Sequence, residues 1–137
     1  MQRFQIARNG APLGALAIKA RAGEAQLQNA VVVNTCAVTA EAVRQSRQAI
    51  RKLKRAHPGT RIIVTGCAAQ TEPETYAAMP EVDRVLGNAE KLIAESYAGF
   101  DGKIRVADIM GLRENASPMV DHFEGKTRAF LSVQNGC

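Results

Sequence analysis

The sequence predicts a parallel α/β fold, and three observations carry that prediction. Two short apolar runs, "VVVN" at 31–34 and "RIIVT" at 61–65, read as buried strands rich in β-branched residues. A long segment with helical periodicity lies between them. Further strand-like and helix-like segments then alternate as far as residue 108, which is the order of a parallel sheet.

Taken in order, residues 1–30 carry no clean period. A short strand is expected over 4–7, a turn at "RNGAPLG" and a weak helix over 15–27. The first strand of the sheet proper follows at 31–34. Thr39 is placed to cap a helix over 40–57, with Glu41 against its positive end and "PG" at 58–59 stopping it. Stepping about 100° per residue puts Ala42, Val43, Ser46, Ala49, Ile50, Leu53 and Ala56 on one side. Arg44, Arg47, Arg51, Lys52, Lys54 and Arg55 fall on the other, with no pairing acid apparent across that face, so the charge is expected to be unrelieved. A strand at 61–65 comes next, then a short helix over 72–79 with Pro73 in its first turn. A third strand is expected at 82–87, then a helix over 89–97 capped by Asn88, and another strand over 102–108. Residues 109–126 read as a linker, and "TRAFLSVQ" at 127–134 alternates as the first strand of a further unit. The expected organisation is thus an atypical segment 1–30, an α/β domain 31–108, a linker 109–126 and the start of a second unit at 127–137.

Composition sets bounds on function. The 137 residues are 46% hydrophobic, which rules against a disordered chain, and aromatics are only 4%, so aliphatic side chains and alanine must fill the core. The net charge of +5 permits an anionic partner such as RNA. Three cysteines, Cys36, Cys67 and Cys137, are too few and odd in number for a secreted disulfide framework. No apolar run is long enough to span a bilayer, and the basic amino-terminal segment is a poor secretory signal, so a cytoplasmic protein with no membrane partner is expected.

Cys36 and Cys67 each come just past a predicted strand. Right-handed crossovers make those strands parallel and bring both thiols to the carboxyl edge of the sheet, where open α/β sheets hold their ligands. Nearby helix starts favour the thiolate, which suits a metal or an iron–sulfur cluster. The competing reading is two ordinary buried cysteines at strand ends. The thiols lie 31 positions apart without a CxxC, and two cysteines alone do not fill a four-thiolate site. Gly66 and Gly136, each directly before a cysteine, would let backbone approach a bulky group, and Asn34 and Gln70 would line the same edge. His57 reads as a partner of its helix's carboxyl end, and His122 has no apparent partner. The basic helix face, with Arg44, Arg47, Arg51, Lys54 and Arg55, is a candidate for RNA phosphates, or else an ordinary solvated surface. Stacking aromatics are missing from it, and nothing in the sequence points to DNA.

The runs "NTCAVTAEAVRQSRQAIRKLKR", "VTGCAAQ" and "VQNGC", in this order, resemble the radical-SAM methylthiotransferases. Among these they are most similar to the enzymes acting on threonylcarbamoyl-adenosine beside the anticodon of tRNA. The resemblance spans about residues 30–137. It implies a flavodoxin-like amino-terminal domain holding an auxiliary four-iron–four-sulfur cluster, with Cys36 and Cys67 as two of its three ligands. It also implies a barrel whose CxxxCxxC motif binds the cluster that cleaves S-adenosyl-L-methionine, with Cys137 matching the first of those cysteines. The radical formed there would activate the adenosine, and sulfur from the auxiliary side would be inserted and methylated. The sequence departs from the family in two ways. Residues 1–30 lack the "GC-x-x-N" segment that supplies the first auxiliary ligand, and the other two cysteines of the barrel motif are absent. The expectation is therefore an amino-terminal fragment of such an enzyme, inactive alone. The alternative is a non-catalytic basic α/β domain that contacts RNA.

Overall fold

The computed structural model describes residues 5–8, 25, 28–98 and 102–108. Strands β1 (Gln5–Arg8), β2 (Ala30–Thr35), β3 (Arg61–Gly66), β4 (Arg84–Leu86) and β5 (Ile104–Arg105) form one sheet in the order β1-β2-β3-β4-β5, every neighbouring pair parallel. The α/β class and the parallel sheet with flanking helices are as the sequence predicts. The linker, the start of a further unit, and the turn and helix expected within 9–24 fall outside the described residues.

The central pair sets the geometry of the molecule. β2 and β3 run in register over six positions, from Ala30 opposite Arg61 to Thr35 opposite Gly66. Successive side chains point to opposite faces, and both faces are covered. Val31, Val33, Ile62, Val64 and Val85 meet Ile50, Ala68, Ala69, Tyr76, Met79 and Val82 on one side. Val32, Ile63 and Leu86 meet Tyr97 and Ala25 on the other. Burial on both faces is why these strands read as unbroken apolar runs.

Helix α1 (Ala40–Ala56) follows β2 and lies against the first face. Thr39 caps it as predicted, with the Ala42 amide donating to Thr39 Oγ at 3.0 Å. Ile50 and Ser46 are its buried residues, and Val43 and Leu53 flank them. Ala49 and Ala56, expected on the packed side, are exposed. They stand roughly 100–120° around the helix from Ile50, beyond the buried arc, whereas Arg47 and Lys54 stand only about 60° and 40° away on the other flank and are half-buried.

Helix α2 (Cys67–Thr71) starts directly at the end of β3, and α3 (Pro73–Ala77) follows with Pro73 in its first turn. The helix expected over 89–97 is instead a 3₁₀ turn at Glu90–Leu92 and a short α4 (Glu95–Ala98), with Ile93 extended between them. Tertiary contacts explain the break. Tyr97 is fully buried and its hydroxyl donates back to the Lys91 carbonyl at 2.6 Å, while Arg84 Nη1 donates to the Ser96 carbonyl at 2.7 Å. A continuous helix would keep the Lys91 carbonyl for the amide four residues on. Nor does the Asn88 side chain cap anything, because it is engaged elsewhere, as described next.

Candidate functional site at the carboxyl edge of the sheet

The last register pair of the central strands, Thr35 with Gly66, is followed at once by Cys36 on one strand and Cys67 on the other. Neighbouring strands lie about 4.8 Å apart, so both thiols leave the sheet at one place on its carboxyl edge. Both cysteines are free and half-buried rather than sealed in either core cluster.

Three devices hold this edge. Gly66 has φ of +101°, in the region that favours glycine, and a Cβ there would overlap the Thr35 carbonyl oxygen and come within 2.7 Å of Asn34 Oδ1. The strand-to-helix corner that delivers Cys67 thus requires glycine, and Asn34 lies over it. Thr35 is buried, and its hydroxyl donates to the Thr65 carbonyl at 2.7 Å and accepts from the Ala69 amide at 3.2 Å. One side chain therefore ties the strand that ends at Cys36 to the helix that begins with Cys67. Gln70 clamps the outer flank. Its Oε1 accepts from the Asn88 amide at 2.8 Å, and its Nε2 donates to the Ala107 carbonyl at 2.9 Å.

The segment after β4 completes the edge. Asn88 Nδ2 donates to Cys67 Sγ at 3.8 Å, and Lys91 Nζ donates to Asn88 Oδ1 at 2.8 Å. Burial pushes the Lys91 ammonium below its ordinary range, and its electrostatic interaction with Cys67 opposes that shift. Glu90 is buried close to Gly87, with Oε1 accepting from the Ala107 amide at 2.8 Å and, among the described residues, no partner for Oε2. Sequence reasoning placed Asn34, Gly66 and Gln70 at this edge but missed Thr35, Glu90 and Lys91, and took Asn88 for a helix cap. The signal available was "GNAEK", a polar run directly after a buried strand that must end at the same edge.

Among the described residues no group of three or more His, Cys, Asp or Glu side chains could hold a metal ion. Cys137, Gly136 and His122 lie outside the described residues. His57 sits at the carboxyl cap of α1, its amide donating to the Leu53 carbonyl. No described helix is long and apolar enough to cross a membrane.

The basic face of α1 is not unrelieved, contrary to expectation. Arg44 makes a two-pronged contact with Glu41 at 2.8 and 2.7 Å, and Gln45 adds a third bond to the same carboxylate. Their hydrogen bonds hold Glu41 down to about 2. Arg47 reaches Glu72 at 3.4 Å and lies over the Tyr76 ring, and Lys54 meets Asp83 at 3.1 Å. Arg51, Lys52 and Arg55, with Gln48 and Ala56, line a shallow depression on the outer side. Among the described residues, no carboxylate pairs with these three cations.

Residues 17–87 match the family described as Uncharacterized protein family UPF0004. The chain is 54% identical over 111 residues to the threonylcarbamoyladenosine tRNA methylthiotransferase MtaB of Rickettsia prowazekii, covering 81% of this chain and 26% of that protein. It is 40% identical over 112 residues to the enzyme of the same name from Aquifex aeolicus, covering 77% and 27%. It is 30% identical over 124 residues to the ribosomal protein uS12 methylthiotransferase RimO of Bdellovibrio bacteriovorus, covering 84% and 27%. The chain thus spans about a quarter of the length of these relatives. No solved structure matches it. With the family match covering just over half of its residues, the chain belongs to this family, the amino-terminal domain of the MtaB-type methylthiotransferases.

Proposed function

We propose that this chain is the sulfur-side domain of a radical-SAM tRNA methylthiotransferase that adds a methylthio group to threonylcarbamoyl-adenosine. In this reading Cys36 and Cys67 are ligands of an auxiliary four-iron–four-sulfur cluster, and Cys137 belongs to the set that binds the S-adenosyl-L-methionine cluster. The work is done in the cytoplasm, on tRNA. The observation that carries the reading is the Thr35–Gly66 register pair, which delivers two half-buried thiols to one sheet edge. The names of the relatives supply the substrate class.

The donor set fits an iron–sulfur group in kind. Thiolates are the soft ligands such clusters take, and Gly66 leaves room where a side chain would crowd the edge. It does not fit in number, since two thiols at the edge leave a four-iron group short of ligands. A bound cluster would supply the iron and sulfide chemistry that side chains lack. What this chain contributes is placement: Thr35 and Gly66 fix the two sulfurs, and Gln70 closes the flank. Because the chain carries only three cysteines in all, it is inactive by itself in this reading.

The test is dibromobimane, which becomes strongly fluorescent only when it bridges two nearby thiols. Fluorescent cross-linking of Cys36 to Cys67, mapped by peptide mass, is the expected result. Mono-alkylated cysteines without a bridge would refute the shared edge. Anaerobic reconstitution with iron counting checks the ligand number, because a stable stoichiometric four-iron cluster on the isolated chain contradicts the inactive reading.

A further inference from the structure

We propose that the outer side of the carboxyl-terminal half of α1, with Arg51, Lys52 and Arg55, is a docking face for the phosphate backbone of RNA. The inference rests on the reading of this chain as part of an enzyme acting on tRNA, and it names a surface that holds that substrate away from the thiols. Six cations lie along the helix, and the structure divides them. Arg44 is held by Glu41, Arg47 by Glu72 and Lys54 by Asp83. Arg51, Lys52 and Arg55 are exposed, and among the described residues no carboxylate meets them. These three fall within an arc of about 100° of the helix. They border a shallow depression that Gln48 and Ala56 also line. Arg55 Nε donates to the Arg51 carbonyl at 3.3 Å, which lays its guanidinium back along the helix toward Arg51. Like charges one turn apart oppose the helix that carries them. An anion between them turns that repulsion into attraction, and the planar fork of a guanidinium suits phosphate oxygens. The helix dipole accounts for Arg55 in the last turn, but Arg51 and Lys52 come before it.

The lining selects backbone over base. No aromatic side chain borders the depression, so bases have nothing to stack on and the contact carries no sequence information. No large apolar side chain borders it either, which a lipid surface would need. Its place in the fold matters as well. α1 starts just after β2 at the carboxyl edge and ends just before β3 at the amino edge, where Lys54 Nζ donates to the Thr60 carbonyl. At about 1.5 Å of rise per residue, the three cations stand roughly 16–22 Å along α1 from its start. RNA held there is anchored by its backbone at a distance from the edge that carries Cys36 and Cys67.

The experiment uses the full chain and an unmodified RNA hairpin the size of a tRNA anticodon arm. A triple variant, Arg51→Gln with Lys52→Gln and Arg55→Gln, keeps long polar side chains on the helix and removes the charge. In low salt it should bind the hairpin at least about ten-fold more weakly than the parent, and a changed base sequence should leave both affinities as they were. Location is read separately. Acetylation of Lys52, followed by peptide mass, should slow several-fold when the hairpin is present. Lys103, whose ammonium donates to the Met79 carbonyl on another part of the surface, should react at one rate with or without it. Equal hairpin affinity in the parent and the triple variant, or equal protection of Lys52 and Lys103, would overturn the proposal. So would a triple variant that binds the hairpin normally but loses binding to vesicles of anionic phospholipid, which would make this a lipid-facing surface. The bimane bridge separates this inference from the reading beneath it. A chain that forms the bridge but binds no hairpin loses the docking face and keeps the sulfur edge. A chain that protects Lys52 with the hairpin but forms no bridge keeps the face and loses the edge.

Discussion

At the carboxyl edge of the sheet the polar contacts join distant parts of the chain: Thr35 to Thr65 and Ala69, Cys67 to Asn88, Gln70 to Ala107. On the outer side of α1 they are local or weakly anchored, as in Glu41 with Arg44 one turn away. The first region is buried at Thr35 and half-buried around Cys67 and Asn88, uncharged apart from Lys91 and Glu90, and fixed by backbone geometry. The second is exposed, strongly basic, and fixed by little besides the helix itself. Buried, over-determined contacts are costly to break and position chemistry within fractions of an ångström. Exposed charge stabilises the fold little and acts mainly on partners. Substitutions in the two regions should therefore separate stability from binding.

The largest effect is expected at Gly66. Gly66→Ala forces a Cβ against the Thr35 backbone, 2.6 Å from its nitrogen, at a φ that side chains rarely adopt. A loss of about 3 kcal/mol or more in urea unfolding is expected, from strain and steric overlap together. The bimane bridge between Cys36 and Cys67 should disappear at urea concentrations where the parent still forms it. An alanine variant as stable as the parent would mean that the corner does not hold the two sulfurs.

Thr35→Val comes next. It keeps the shape but leaves the Ala69 amide without its acceptor and the Thr65 carbonyl without the hydroxyl. A cost of about 1–3 kcal/mol follows from an orphaned buried group. Unlike Gly66→Ala, it should leave the strand register intact, so the cross-link should persist in native buffer. Losing the cross-link with little loss of stability would reverse the roles assigned to these two residues.

How much of this was legible in the sequence differs between the same two regions. The strands that deliver Cys36 and Cys67 announce themselves, because burial on both faces leaves continuous β-branched runs. The shared edge follows from the parallel direction of the two strands, which a strand–helix–strand order implies whatever the particular side chains. The residues that hold the edge together were hidden for the opposite reason. Thr35 looks like a turn residue until Thr65 and Ala69 are seen on either side of it. Asn88 satisfies every local rule for a cap, yet its amide is engaged by Cys67, 21 positions away. On α1 the helical stripe was readable, but its boundary was not: a difference of about 40° decides whether Ala49 or Arg47 lies on the packed flank. The acids that meet Arg47 and Lys54 come from Glu72 and Asp83, which no helical-face count can supply.

On the basic side the prediction concerns binding. Replacing Arg51, Lys52 and Arg55 together by alanine should change stability by no more than about 0.5 kcal/mol, as for surface positions generally. If this face meets tRNA phosphates, the plot of log affinity against log salt should flatten by roughly 2–3 in slope. Arg47→Ala and Lys54→Ala should flatten it less, because their side chains are already engaged with carboxylates. Equal affinity and slope in the parent and the triple variant would assign tRNA contact to some other part of the chain.

The smallest expected effect isolates the local kind of contact. Glu41 sits in the first turn of α1, where the helix dipole favours an anion, and Arg44 and Gln45 hold it down to about 2 from its ordinary 4.5. A group whose folded value lies below its unfolded value stabilises the fold above the unfolded value, and that stabilisation is lost as pH falls through the folded one. The contribution of Glu41 should therefore be intact above 4.5, decline between 4.5 and about 2, and vanish below. Because the pair is exposed, its size should be small and should shrink further in salt. Thermal unfolding of the parent and Glu41→Gln across that interval, at low and high salt, should show two curves that converge toward pH 2. Curves that stay parallel throughout would mean that the Arg44 contact contributes nothing to folding, and that Thr39 alone secures the start of the helix.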